Sequence, residues 1–372
     1  MNNKYLFILF LVLFFNSCKE EYDFPLKSSD KSVLVMEGVI NAAGPTTLTL
    51  SQSMKIDEAT QFKPVLNAQL TVEGKDNSSN TLTSSGAGKY SHPNLPLVIG
   101  NEYRLRIKAN GKEYLSEWVA AKNTPAIDSI SWERTPEGLN FSVSTHDPAN
   151  NSWYYKWDYD ETWQINSYFF ANFKYQGDSI VPIDPSESPY SCWKYDFSKN
   201  IIIGSSAQLQ SDVISLLPTH QIEYGTEKVS VRYSVLMKQS AISKEAYEFL
   251  ALMKKNTESL GSIFDPQPSE LRGNISNIAD PAEIVVGYVI VSSISEKRIF
   301  VTSSEAQWGY YQNCESIDVS NKKDSIAKYR KDYAPYDAEY AGPGIVSVYK
   351  MSRPFCVDCT ARAGSLSKPA YW

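Results

Sequence analysis

Histidine is scarce, with three residues in 372, so a reaction built on imidazole acid–base chemistry or a multi-histidine metal set has little to draw on. Lysine and arginine, 36 against 42 acidic residues, never gather into a dense run. A net charge of −6 and a pI near 5.3 leave no broad electrostatic footprint for nucleic acid. The longest apolar run, Tyr5 to Phe15, is 11 residues, short of the roughly 20 that a spanning helix takes. The HExxH, GxSxG and GxGxxG patterns are absent, as is a calcium loop. Gly86-Ala87-Gly88-Lys89 lacks the first glycine and the Ser/Thr of a phosphate loop and reads as a hairpin turn. No cofactor, metal or catalytic residue is expected, and the chain reads as no enzyme.

Aromatic residues are abundant: Tyr 24, Phe 15 and Trp 8 make up 13% of the chain, a mix that suits β-sheets. Hydrophobic residues at 42% and charged ones at 21% fit an ordinary globular body. At roughly 100 to 200 residues per domain, the length implies two domains or more.

The N-terminus reads as an address. Lys4, the apolar run, then Asn16-Ser17-Cys18 form a charged region, an apolar core and a small residue before a cysteine. This predicts a lipoprotein signal peptide over 1–17 and a lipidated Cys18 opening a polar tether over 18–31. Several acyl chains, at about 0.8 kcal/mol per buried methylene, hold such a body at a bilayer without a membrane segment of its own. With Cys18 taken, Cys192, Cys314, Cys356 and Cys359 remain, an even number for an oxidising compartment. Two structural disulfides are expected, with three connectivities open; Cys356-Val357-Asp358-Cys359 has no second CxxC or His pair to complete a metal set.

Periodicity gives a mainly β architecture. From 32 to 123 short alternating strands, such as Tyr103, Leu105 and Ile107 against Arg104, Arg106 and Lys108, are punctuated by glycine turns. They predict a small antiparallel β-sandwich of immunoglobulin-like or transthyretin-like kind, with Asn110-Gly111 as a two-residue hairpin turn. A boundary falls at Asn123-Thr124-Pro125. A larger sandwich-like domain, fibronectin-like or immunoglobulin-like, follows over 124–372, with a Pro- and Ser-rich excursion over 176–200. One inserted helix is expected at about 243–259, capped by Ser243, closed by Gly261, and apolar on the face of Ala246, Phe249, Leu250 and Met253.

Several motifs carry a family resemblance: Thr124-Pro125-Ala126-Ile127-Asp128-Ser129-Ile130, Tyr154-Tyr155-Lys156-Trp157 with Glu161-Thr162-Trp163, Gly261 to Ser269 with Gly273-Asn274-Ile275, and the tail Cys356-Val357-Asp358-Cys359 with Lys368-Pro369. Together they resemble the DUF4249 family of Bacteroidota outer-membrane lipoproteins over nearly the whole mature chain. Lys19-Glu20-Glu21 resembles the surface-export signal of such lipoproteins. The resemblance implies a lipid-anchored protein on the cell surface, an accessory binding role in uptake, and a TonB-dependent outer-membrane receptor as partner. It implies no catalytic residues.

Competing readings are a glycan-binding module using exposed aromatic residues and a hydrolase with an unrecognised site. In the stretch Trp153 to Trp163 the alternating rings read as sandwich core, leaving Tyr154 and Trp163 for exposure and ligand contact. Asp158, Asp160 and Glu161 read as a solvated face, since neighbours on one strand do not flank a sugar. The stiff loop Asp265-Pro266-Gln267-Pro268, with Asn274 fixing the backbone beside it, is a further candidate for ligand or partner binding.

Overall fold

The computed structural model describes residues 32–53, 63–258 and 271–372. Cys18, Lys19, Glu20, Glu21, Gly261 and the Asp265–Pro268 loop lie outside the described residues.

The first sandwich follows from strict alternation. Tyr103, Leu105 and Ile107 are buried on one face of Glu102–Ala109, while Arg104 and Arg106 on the other meet Glu73 at 2.8 and 2.6 Å. Asn110 and Gly111, at φ 53° and 75°, turn that strand into Lys112–Ser116. Both take the left-handed conformation that a tight hairpin turn of this kind needs. Ser79–Gly86 pairs with Gln69–Gly74 through its first half and with Lys89–His92 through its second, so one strand carries the sheet from one layer to the other. Leu48, Leu50, Leu70, Val72 and Tyr90 fill the space between.

The 32–123 unit is not built from its own residues alone. Ile275–Asn277 pairs with Lys112–Ser116 at one edge of the sheet, and Val285–Val286 runs parallel to Leu34–Val35 at the other. Ile275, Val285, Val289 and Val291 enter the first core. Open sheet edges carry unpaired backbone groups, and the returning segment satisfies them at both sides. It passes so close that a Cβ on Gly287 would sit 2.3 Å from the Met36 carbonyl oxygen.

In the second sandwich, Ile127–Thr135, Gly138–His146 and Val213–Glu223 form one sheet. It faces a five-stranded sheet ordered Ser191–Phe197, Tyr154–Asn166, Arg232–Ala241 and Ile294–Thr302, with Ile202–Ser205 also on Tyr154–Asn166. Leu139, Phe141, Val143, Tyr155, Trp157, Val235 and Met237 are fully enclosed between the two. The helix Lys244–Glu258 starts where Ser243 Oγ accepts from the Ala246 amide at 3.1 Å, and it buries Ala246, Phe249 and Leu250. It is joined by two shorter helices, Lys323–Tyr329 and Pro354–Val357.

The span 124–372 also holds more than one sandwich. Ile317–Ser320, Ala334–Gly342 and Ile345–Ser352 make a separate three-stranded sheet. The Pro- and Ser-rich excursion contributes a hairpin, Phe173–Gln176 with Ser179–Pro182, whose Phe173 joins Val319, Tyr349 and Met351 in a small core. Disulfides pair Cys192 with Cys359 and Cys314 with Cys356, at Cα separations of 5.7 and 5.8 Å. The first fastens the chain's last turns to the edge of the five-stranded sheet and the second braces the small unit.

Candidate functional site

Tyr154–Asn166 has two faces with different chemistry. Its odd-numbered residues point into the sandwich, and that set includes Glu161, which is 3% exposed and not part of a solvated face. The period of two aligns position 161 with Trp157 and Trp163. Asp158 and Asp160, on the other face, do reach water and pair with Lys156 and Lys238.

A buried carboxylate needs partners. Lys228 forms an ion pair with Glu161 Oε2, and the Tyr233 hydroxyl donates to Oε1 at 2.7 Å. With that hydrogen committed, His220 Nε2 donates to the Tyr233 oxygen at 2.9 Å. The imidazole is stacked between Phe141, at 4.4 Å, and Tyr159, at 4.2 Å. Burial, with a smaller push from Lys228, takes His220 down to about 3, so it stays neutral and its 3.8 Å approach to Glu161 is no ion pair. Burial and the Glu161 charge hold the Tyr233 phenol well above its ordinary range. Glu161, Tyr233 and His220 are thus partnered inside the sandwich, and only the Lys228 end of the cluster reaches the surface.

Trp163 and Tyr154 are not solvent-facing rings. Trp163 is 7% exposed, lies beneath the Lys228 ammonium at 5.0 Å, and its Nε1 has no acceptor. Tyr154 is half-buried and packs on Tyr247 of the helix at 5.3 Å. Asn274 is buried too: its amide closes a pair of bonds with the Val289 backbone, at 2.7 and 3.2 Å. It fixes the returning segment at Val289.

Two exposed rings, Tyr195 and Phe197, lie on the outer face of the same five-stranded sheet, while others such as Tyr311 and Tyr340 stand elsewhere on the surface. Strand register brings Tyr195, Thr162, Ser234 and Phe300 into one row, with Phe197, Asp160, Leu236 and Arg298 beside it. Tyr195 and Phe197 stand 54% and 65% exposed on the edge strand Ser191–Phe197. Across the row Arg298 stacks on Tyr371 at 3.7 Å and donates to Ser234 Oγ at 3.0 Å. Arg232 lies between Phe300, at 4.0 Å, and Trp372, at 5.4 Å. Aromatic faces, guanidinium groups and hydroxyls on a rigid sheet can hold a flat, oxygen-rich ligand by stacking and hydrogen bonding. Alternation marks 195 and 197 as one face, but nothing local tells which face of an edge strand meets water. Among the described residues, no group of three or more His, Cys, Asp or Glu side chains is gathered as metal ligands, and no helix is long and apolar enough to cross a membrane.

The family described as a domain of unknown function, DUF4249, matches residues 19–298, and the chain belongs to it. No curated protein sequence matches the chain. Among solved structures, the chain is similar to a two-domain fibronectin type III segment of chicken tenascin at 13% identity, covering 56% of this chain and 91% of that one with a TM-score of 0.17. It is also similar to a Bacteroides uniformis protein assigned to carbohydrate binding, at 10% identity, covering 57% of this chain and 90% of that one with a TM-score of 0.13. At these scores neither adds to the account of the fold.

Proposed function

We propose that this DUF4249 protein is a non-catalytic lipoprotein of the Bacteroidota outer membrane, held at the cell surface through Cys18. In this reading it serves as an accessory binding component of a TonB-dependent uptake system, and its ligand face is the outer face of the five-stranded sheet. The observation that carries the ligand face is the exposure of Tyr195 and Phe197 beside the Arg298 and Arg232 guanidiniums on one rigid surface. The carboxylates considered for hydrolysis support a binding role, because Asp158, Asp160 and Glu161 are each engaged by a lysine. The anchor is supported by the sequence before and after Cys18. Crosslinking followed by co-purification from detergent-solubilised outer membranes should recover a large β-barrel receptor; repeated failure to do so sinks the partnership.

The second reading, a glycan-binding module, is favoured by the same two rings, though not by Tyr154 or Trp163. A stacked ring is worth about 0.5–1.5 kcal/mol beyond the area it buries. Tyr195→Ala with Phe197→Ala should therefore weaken binding on an oligosaccharide array about tenfold or more. No binding by the parent protein removes this reading.

A further inference from the structure

The outer face is not free: residues 365–372 lie across it. The backbone of that segment is tied to the edge strand at Ser365, by paired bonds with Trp193 at 2.8 and 2.9 Å. Beyond that point the Ser367 carbonyl accepts from the Tyr195 hydroxyl at 3.4 Å, and the segment's side chains make the other contacts. The Tyr371 hydroxyl meets Thr162 Oγ1 at 2.7 Å, and Trp372 Nε1 donates to Gln164 Oε1 at 3.2 Å. The indole of Trp372 stands nearly perpendicular to Phe300 at 5.5 Å and to Trp193 at 6.5 Å. Thr162 and Ser234 are polar residues on an outward face, yet only 1% and 0% exposed.

A second observation concerns Trp193. It is 8% exposed, and its Nε1 is buried without an acceptor next to the Trp372 ring. A buried donor left unpaired costs about 1–3 kcal/mol. No acceptor from the segment reaches it, so the segment does not relieve that cost. An incoming ligand with oxygen acceptors would.

We infer that Tyr371 and Trp372 are a removable internal ligand of the outer face, occupying the ring and hydrogen-bond positions that an oxygen-rich, ring-bearing ligand takes once the segment swings away about Ser365. The inference rests on the outer face being the ligand surface. A segment docked in cis at about 99 to 1 lowers the apparent affinity for any competing ligand roughly a hundredfold. Its removal therefore opens the face without altering the sheet beneath.

The test uses a synthetic peptide of residues 363–372 as probe, with Tyr371→Ala/Trp372→Ala in the full chain as receptor. At an effective concentration of a few millimolar for a short tether, that occupancy implies a peptide Kd on the order of 50 μM for the variant, and at least about a hundredfold weaker binding to the parent. No binding to the folded variant, or equal binding to both proteins, overturns the inference. Should the variant not fold, Thr162→Val with Arg298→Ala loosens the same contacts from the sheet side. Exchange of the Trp372 indole N–H, held by Gln164 Oε1, should then speed up about tenfold or more while the backbone of the Tyr154–Asn166 strand keeps its protection; unchanged exchange overturns the inference as well. An oligosaccharide arm run on both proteins separates the two readings. Peptide binding without glycan binding removes the carbohydrate ligand and leaves the removable segment standing.

Discussion

Tyr233 donates its hydroxyl hydrogen to Glu161 Oε1 at 2.7 Å, and both side chains are enclosed by the core of the second sandwich. The pair stands in the middle of a chain that runs from Lys228 through Glu161 and Tyr233 to His220. Each of these four side chains has a polar partner there, which offsets the cost of burying it.

Removing one member should expose that dependence. Lys228→Met leaves the Glu161 carboxylate without its cation and should cost about 3 kcal/mol, read as a lower urea midpoint at unchanged slope. Adding Glu161→Gln to the same chain should restore most of the loss. No recovery in the double variant would mean that Lys228 contributes by packing on Trp163 instead.

The pH profile carries the mark of His220. Its folded value, about 3, lies below the ordinary 6.5, so between those limits the unfolded chain binds a proton that the folded chain does not. The stability it contributes is therefore complete above pH 6.5 and falls as the pH drops toward 3, by at most about 1.4 kcal/mol per pH unit. Denaturation series from pH 7.5 to 4 should show a shallower slope for His220→Phe, which keeps a ring between Phe141 and Tyr159. Identical slopes would count against a neutral, buried imidazole.

The two disulfides should not be equivalent. Cys192–Cys359 closes 167 residues and Cys314–Cys356 closes 42. Loop-closure entropy gives the longer bridge about 1 kcal/mol more stabilisation, within the usual range of about 2–5 kcal/mol. Thermal unfolding of the paired Cys→Ala variants checks the order: Cys192/Cys359 should lose more, and Cys314/Cys356 should loosen the Ile317–Ser352 unit first.

Location is tested at the other end of the chain. Cys18→Ala should release the body from the membrane fraction. Changing Lys19, Glu20 and Glu21 to Ala should turn a protease-accessible protein into a protected one in intact cells. Accessibility that does not change refutes the export signal.

Much of the fold was legible in short-range pattern. Tyr103, Leu105 and Ile107, like Leu139, Phe141 and Val143, alternate because a strand repeats every two residues, and all six are buried. Ser243 marks the helix start because a hydroxyl there satisfies an otherwise orphaned amide. The candidate site was legible only in part. Alternation alone leaves Tyr154 and Trp163 as rings outside the core, but Trp163 belongs to the inward set, and the Lys244–Glu258 helix packs on Tyr154. Tyr195 and Phe197, which do face water, lie on a strand whose outward face depends on its neighbours in the sheet.

Local periodicity and composition therefore determined the β architecture, since each strand's pattern is written within a few adjacent residues. Tertiary structure alone decided which cysteines pair, and that Ile275–Asn277 and Val285–Val286 return to close the edges of the first sheet. It also decided that Glu161 lies inside with Lys228 and that Tyr371 covers Thr162. These last relations join residues 67 and 209 positions apart. They are set by which layers pack and which sheet edges need covering, and those demands arise only once the strands have assembled.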